Sequence, residues 1–291
     1  MPGSIFIFWN RRLSTFGNLA FAAFLIAVIS GIPLSIVYNV DRATDSLQLL
    51  LLTLPRGAFF RSVHYWSGQL FLLFTLIHVI EHLSKNSERD LKAGLWTRLV
   101  LALLLSFFVM LSGFILKADV EGKMAQQIFG GLLKTFPFVG SDLRMIILGN
   151  SDSLNLLYVH HLISTTLFIG IVILEHMRRA WPELLSYVYL LGASTLLAIL
   201  IPQGLQLTTS AKIRGPWYFI GLQEILHWIS NPLVVVGLLL CCLGGFLLLR
   251  WMKPTKSKWT KKFLLALLLF YGILTVNNWG FRDANWNSLF F

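Results

Sequence analysis

Four histidines in two apolar stretches have the residue type and the spacing for metal chemistry. His64 and His78 are 14 positions apart, and His161 and His176 are 15 positions apart. In a helix either interval is about four turns, so both imidazoles of a pair lie near one face, one toward each end. Polar side chains are costly in hydrocarbon and usually mark a function there. Two antiparallel helices with such pairs can hold two stacked haems, with one histidine from each helix on each iron.

A competing interpretation exists for each histidine taken alone. A single histidine in an apolar helix is usually a buried polar residue with a hydrogen-bond partner. Two pairs of matching span favour the two-haem bundle over four such residues. His160 is turned about 100° from its neighbour His161 on a helix. We therefore expect it to be a structural or hydrogen-bonding neighbour, not a ligand.

The composition predicts that the elements carrying these histidines are membrane helices. The chain has 291 residues, of which 56% are hydrophobic and 13% are charged, whereas about 25% are charged in a soluble domain. We expect an all-α integral membrane protein with seven transmembrane helices, a four-helix bundle within 1–183 and three helices within 184–291. The predicted helices cover 16–38, 61–82, 99–116, 154–174, 184–202, 225–249 and 263–281. The segment 117–153 has only short apolar runs and is expected to lie on the membrane surface.

The distribution of basic residues predicts the orientation. Most lysines and arginines fall in short connections on one side, including Lys85–Arg98 and Arg250–Lys262. The positive-inside rule then places the N-terminus in the cytoplasm. The first histidine of each pair lies toward the outer side and the second toward the cytoplasm, so the two ligands of each haem match in depth. The net charge of +11 indicates contacts with anionic lipids and does not require nucleic acid.

Glycines and cysteines add to this interpretation. Gly17 and Gly31 in the first predicted helix are also 14 positions apart. Glycine lets a flat partner approach a helix backbone closely. Cys241 and Cys242 are adjacent and form no haem-attachment or metal-binding spacing. We therefore expect noncovalent haem and no cysteine-ligated iron–sulfur cluster.

From about Phe16 to its C-terminus the sequence resembles cytochrome b of the bc family. It is most similar to the chloroplast-type haem subunit joined to its three-helix partner in one chain. The resemblance implies that His64 and His161 ligate an outer haem, and that His78 and His176 ligate an inner one. Residues matching the family's other haem-contacting positions are Gly17, Gly31, Gly113 and Arg61, the last of which would pair with a haem propionate. The stretch GPWYF at 215–219, with Pro216, Trp217 and Tyr218, resembles the Pro-Glu-Trp-Tyr motif of the outer quinol site.

Three positions depart from the family pattern. Leu99 stands where the third helix has a second glycine, which predicts different packing around the inner haem. Thr15 stands where chloroplast-type proteins have a cysteine for an extra covalent haem, so we expect no such haem. Pro216 replaces the glutamate of the quinol-site motif and cannot accept a proton. Glu224 and His227 follow three residues apart, and we expect this pair to take the proton in its place.

The predicted function is electron transfer between a quinone pool and a redox partner through two b haems. The resemblance implies quinol or menaquinol as substrate, a Rieske-type, c-type or multihaem partner subunit, a homodimer within the complex, and a bacterial cytoplasmic membrane. A non-bifurcating quinone-reactive subunit, working with an external multihaem or iron–sulfur protein, is the first alternative. A haem-free transporter or assembly protein is the second, and an unrelated di-haem anchor of a dehydrogenase or hydrogenase is the third. His82 is interpreted as an interfacial histidine, with a role near an inner quinone site as its alternative.

Overall fold

The computed structural model describes residues 16–149, 153–177, 182–208 and 215–281. Thr15 lies outside the described residues. All regular structure within those ranges is helical. The helices are α1 Phe16–Val37, α2 Ala43–Leu52, α3 Gly57–Ser84, α4 Ala93–Ile115, α5 Val120–Lys134, α6 Gly140–Leu148, α7 from Asn155 to Met177 in three parts, α8 Leu184–Leu200, α9 Trp217–Trp228, α10 Pro232–Leu248 and α11 Pro254–Phe281.

Among the residues that the structure describes, six stretches of helix are long and apolar enough to cross a membrane. They are Phe16–Val37, Gly57–Ser84, Ala93–Ile115, Asn155–His176, Pro232–Trp251 and Pro254–Gly280. Helix α8, predicted as the remaining span, has 17 residues and is apolar throughout. A span of hydrocarbon takes about 20 residues, with a range that begins near 17. The predicted all-helical membrane fold is therefore confirmed, with α8 shorter than the other spans.

The chain divides into two compact units, which are described separately. The first unit contains residues 1–90 and 168–204. In it α1 packs against α3 and α8, and α8 also packs against α3. Rings on α1 and α3 meet in the core, with Phe24 and Phe71 separated by 5.3 Å between centroids. This packing holds α1 against the face of α3 that carries His64 and His78.

The second unit contains residues 91–167 and 205–291. Helix α9 packs against α11, and α10 against α4. Leu222 and Leu226 of α9 are buried with Val235 and Val236 of α10 in a cluster that also includes Leu132. The predicted domain boundary between residues 183 and 184 is a different division of the chain and stays a prediction.

The predicted bounds of the sixth and seventh helices differ most from the structure. The sixth helix was expected to run unbroken over 225–249, but α9 ends at Trp228 and α10 begins at Pro232. Asn231 caps α10 by accepting a hydrogen bond from the N–H of Leu233 at 3.0 Å, and proline is well suited to the first helical turn. The seventh helix begins at Pro254, not at Phe263, because a lysine-rich turn continues it beyond the apolar run.

Over its described part, residues 117–149, the segment 117–153 forms two helices, and neither is among the stretches long and apolar enough to span a membrane. Helix α5 is capped by Asp119, whose carboxylate accepts from the N–H of Gly122 at 2.9 Å. Lys117 pairs with Asp119 at 3.0 Å and with Glu121 at 2.8 Å. Asp119 also accepts from the N–H of Gln206 at 3.0 Å, so this corner fixes the chain after α8 within the second unit. The predicted location of the segment on the membrane surface stays a prediction.

Candidate functional site

Helix α1 approaches two of the four histidines so closely that its backbone has room only for glycine. A Cβ atom at position 31 would lie 3.0 Å from Cε1 of His64. One at position 17 would lie 2.8 Å from Cε1 of His78. Carbon atoms without a bond between them pack at about 3.5–4.0 Å. The glycines were expected to let a flat group approach the helix backbone. In this structure that group is the imidazole ring of His78 at Gly17 and of His64 at Gly31.

The close approach at Gly31 places His64 against a backbone carbonyl. Its Nδ1 lies 2.8 Å from the carbonyl oxygen of Ala27. A carbonyl oxygen can only accept, so the ring proton is on Nδ1 and the lone pair is on Nε2. Histidines that bind metals almost always donate their other ring N–H in this way, which fixes the ring and its tautomer. This contact leaves Nε2 of His64 available to a metal.

The same arrangement recurs in the second unit, between α4 and α7. Nδ1 of His161 lies 3.0 Å from the carbonyl oxygen of Val109 and 3.0 Å from Oγ of Ser112. A Cβ atom at position 113 would lie 2.8 Å from Cε1 of His161. In both places the accepting carbonyl belongs to the residue four positions before the glycine. The repetition in two units indicates a specific histidine site at each.

Helix α7 contains a π turn at the first histidine of its pair. The π segment is His160–Ser164, between the α-helical parts Asn155–Val159 and Thr165–Met177. The hydroxyls of Thr165 and Thr166 donate to the carbonyls of His160 and His161, each at 2.5 Å. A π turn holds about one residue more than an α turn. An interval of 15 that includes it therefore advances the helix like an interval of 14 without it.

The second histidines of the two pairs meet within the first unit. The ring centroids of His78 and His176 are 6.1 Å apart. Two imidazoles bound to one metal from opposite sides, through bonds of about 2 Å, keep their ring centres roughly 6 Å apart. Nδ1 of His78 is buried and has no hydrogen-bond partner among the described residues. The separation and the glycine both fit a haem iron between these rings.

Arg61 lies one turn before His64 and is 8% exposed. Its guanidinium donates to the carbonyl oxygens of Gln203 and Gly204. Ser62 accepts from the N–H of Gln203 at 2.9 Å, and the indole N–H of Trp66 donates to the carbonyl of Ile201 at 3.0 Å. The turns of α3 around Arg61 therefore hold the chain that leaves α8. The predicted contact of Arg61 with a haem propionate stays a prediction.

The motif at 215–219 begins α9 in the second unit. Pro216 is buried and precedes the first residue of the helix. Tyr218 is 4% exposed, and its carbonyl accepts from the hydroxyl of Tyr271 at 2.7 Å. Trp217 is 39% exposed. Trp217 is thus the aromatic side chain of the motif that is open to a ligand, while Tyr218 is packed against α11.

Glu224 and His227 lie on α9 in different environments. Glu224 has no exposed surface, and its carboxylate accepts from Nδ2 of Asn278 at 2.9 Å and from Nδ2 of Asn277 at 3.5 Å. His227 is partly exposed. A proton that comes from the protein surface would therefore reach the imidazole of His227 before the carboxylate of Glu224.

The two remaining predicted neighbours have hydrogen-bond partners. Nε2 of His160 lies 3.0 Å from the carbonyl oxygen of Ile146, which ties α7 to α6. Nδ1 of His82 lies 3.0 Å from Oγ of Ser87. Its ring is 4.4 Å from that of His78 between centroids. His82 therefore belongs to the neighbourhood of the inner pair.

Sequence reasoning missed several parts of this site. The side chains of Ala27 and Val109 do not indicate that their backbone carbonyls accept hydrogen bonds. Only the glycines four residues later, Gly31 and Gly113, indicate these positions. The π turn also has no clear signal in the sequence. Asn277 and Asn278 could have been found, because adjacent amides in an apolar helix are costly and usually mark a function.

Comparisons with known proteins agree with this geometry. The family model described as Cytochrome b/b6/petB matches residues 1–180. Cytochrome b of Rhodospirillum rubrum is 26% identical over 180 residues, covering 60% of this chain and 43% of that protein. Cytochrome b6 of Auxenochlorella protothecoides is 25% identical over 167 residues, covering 55% of this chain and 78% of that protein. The matched segment is thus less than half of the Rhodospirillum protein.

A solved structure shares the fold over nearly the whole chain. A chain described as "Hyperthermophilic respiratory Complex III" superposes with a TM-score of 0.65 at 17% identity, covering 92% of each chain. The family match covers more than half of this chain, including all four histidines. The expected b-type haem is therefore confirmed as the family's cofactor. The chain is a membrane protein of the cytochrome b family.

Proposed function

We propose that this chain is the quinone-reactive, di-haem subunit of a bc-type oxidoreductase. It would exchange electrons between a quinol or menaquinol and a redox partner through two b haems. The observation that carries the proposal is the repeated site in which an imidazole lies over a glycine and donates Nδ1–H to the carbonyl four residues earlier. A merely structural histidine has no need to present Nε2 in the same way at two separate sites.

The four histidines divide into two ligand pairs. His78 and His176 lie in one unit at the separation that one iron requires, and we assign them to the inner haem. His64 and His161 are assigned to the outer haem from their matching predicted depth. Bound haem would supply one-electron transfer, while the protein sets position and potential. The rings of His64 and His161 are held by backbone carbonyls, so that their orientation does not depend on solvent.

The outer quinol site is proposed at the start of α9. Trp217 offers an exposed ring against which a quinol headgroup can pack. His227, which is partly exposed, would receive the hydroxyl proton on its imidazole. Glu224 would stabilise the charged imidazole from the buried side. Tyr218 would position the first turn of α9 through its backbone contact with Tyr271.

Pro216 favours one variant of this function. It leaves no carboxylate within the motif at 215–219. A quinol site that departs from the family motif in this way need not keep the family's division of the two electrons over two routes. A non-bifurcating complex with an external multihaem or iron–sulfur protein is therefore the second candidate.

The partner and the location follow from the same proposal. A Rieske-type, c-type or multihaem cytochrome subunit would exchange electrons with the outer haem, in a complex built on a homodimer. The basic connections would face the cytoplasm and contact anionic lipids, with the N-terminus on that side. A bacterial cytoplasmic membrane provides this arrangement.

The first experiment is to purify the complete chain with its co-purifying subunits and to record reduced-minus-oxidised spectra. We expect two low-spin b haems per chain and reduction of at least one by a quinol. Protein that is folded and free of haem would overturn the proposal in favour of a transporter or an assembly protein. Two haems that no quinol reduces would remove the quinone assignment alone.

A further inference from the structure

The inner ligand His78 differs from His64 and His161 in one respect. Those two donate Nδ1–H to backbone carbonyls. Nδ1 of His78 is buried and has no hydrogen-bond partner among the described residues. An imidazole that binds iron through Nε2 retains a proton on Nδ1, and a buried donor without an acceptor is costly. His78 therefore needs an acceptor that the carbonyl pattern does not supply within the described chain.

Glu81 lies three residues further along α3, on the same face. Its Oε2 is buried and also has no hydrogen-bond partner among the described residues. Its Oε1 accepts from Nζ of Lys85. The ligand atoms of His78, Glu81 and His82 lie within 4.8 Å of one another. The buried Oε2 of Glu81 and the buried Nδ1 of His78 thus belong to one cluster, in which a side-chain rotation can bring the acceptor to the donor.

The neighbouring side chains of His82 and Lys85 each have a hydrogen-bond partner. His82, the third member of the cluster, already has Oγ of Ser87 beside its Nδ1 at 3.0 Å. Lys85 holds the other carboxylate oxygen at the more exposed edge and so directs Oε2 inward. At the other two sites the acceptor is the carbonyl four residues before the glycine. By analogy, the acceptor for His78 would be the carbonyl of Leu13, four residues before Gly17. Leu13 lies outside the described residues, and the experiment below separates the two acceptors.

We propose that Glu81 accepts the Nδ1–H hydrogen bond of His78 when the inner haem is bound. The proposal rests on the proposed ligation by His78 and His176. A carboxylate acceptor makes an imidazole a stronger donor to its metal than a carbonyl does. Stronger donation stabilises the oxidised, more positive iron and lowers the reduction potential. The inner haem would therefore be tuned by a charged acceptor, whereas the outer haem has two neutral ones.

The test is a redox titration of the purified holoprotein carrying Glu81→Gln. We expect both haems to be retained, the inner haem to titrate at a higher potential, and the outer haem to be unchanged. The low-spin ferric EPR signal of the inner haem should also shift, because that signal reports the strength of the axial ligand. Glu121→Gln is the matched control, since Glu121 likewise pairs with a lysine four residues away but contacts no ligand histidine. It should change neither potential.

Lys85→Gln separates the hydrogen bond from a simple charge effect. It also changes the local charge by one unit but leaves Glu81 in place. A purely electrostatic effect would give opposite shifts of equal size in the two variants, with the EPR signal unchanged in both, and would overturn the proposal. Full haem content with no shift in Glu81→Gln would overturn it as well, and would assign the proton to another acceptor such as the Leu13 carbonyl. Absence of haem in the unmodified protein would instead refute the proposed function.

Discussion

The imidazole of His161 occupies the space that a side chain on residue 113 would fill, so that the ring packs directly against Gly113. A Cβ atom at that position would lie 2.8 Å from Cε1 of the imidazole. The ring could not keep its hydrogen bond to the Val109 carbonyl and also make room for a methyl group. The histidine and the glycine therefore act as one unit, and a change in either should have the same consequence for haem.

Gly113→Ala should lower the haem content by about one haem per chain. Haem extracted from the purified protein and compared with protein mass measures this. Gly237→Ala is the control, because position 237 of α10 has nothing within 4 Å of an added Cβ. Equal haem content in the two variants would show that the imidazole moves aside at no cost.

Ligand pairing predicts which variants resemble each other. His64→Leu and His161→Leu should lose the same spectral component, whereas His78→Leu and His176→Leu should lose the other. His160→Leu should retain both haems, because its Nε2 is directed to the carbonyl of Ile146. Low-temperature spectra of membranes from the five variants provide the measurement. Both haems present in any of the first four would refute the assignment of that residue.

Arg61 is expected to act on the chain that follows α8. Hydrogen bonds from a charged donor contribute about 1.5–3 kcal/mol each, and Arg61 makes two to the carbonyls of Gln203 and Gly204. Arg61→Gln should make the segment 201–208 more sensitive to proteases. Trp66→Phe, which removes one neutral bond to Ile201, should do so less.

The same variant tests the propionate contact. If Arg61 pairs with a propionate of the outer haem, Arg61→Gln should also lower that haem's potential, because a nearby positive charge favours the reduced state. A redox titration in which the potential is unchanged while proteolysis increases would assign Arg61 to the chain contact only.

Proton transfer at the quinol site should depend on both residues of α9. His227→Leu is expected to reduce quinol oxidation at every pH, and Glu224→Gln to change the pH profile with a smaller loss. Trp228→Phe, beside His227 and 55% exposed, controls for local disruption. Haem content must be equal in all three. Normal turnover with an unchanged pH profile in the first two variants would transfer the proton step to water or to a partner subunit.

Some contacts of this site can be predicted from the sequence and others cannot. Histidine and glycine spacing predicts the contacts of His64 and Gly31 because regular helices convert intervals into faces. The interval of 15 in α7 could not be explained from spacing alone. It depends on the π turn at His160–Ser164, whose carbonyls accept hydrogen bonds from the hydroxyls of Thr165 and Thr166. The break before Pro232 was missed because the apolar run continues through it. Contacts of Arg61 were not predictable either, since they join residues more than 140 positions apart.

Backbone recognition of the ligand rings has an evolutionary consequence. The acceptors are the carbonyls of residues 27 and 109, so the side chains of Ala27 and Val109 take no part in the contact. Neutral drift at these two positions should leave the haem sites intact as long as the helices persist. Positions 31 and 113 have no such freedom, because every other residue adds an atom where the ring lies. A site of this kind can therefore persist while most of the surrounding sequence changes.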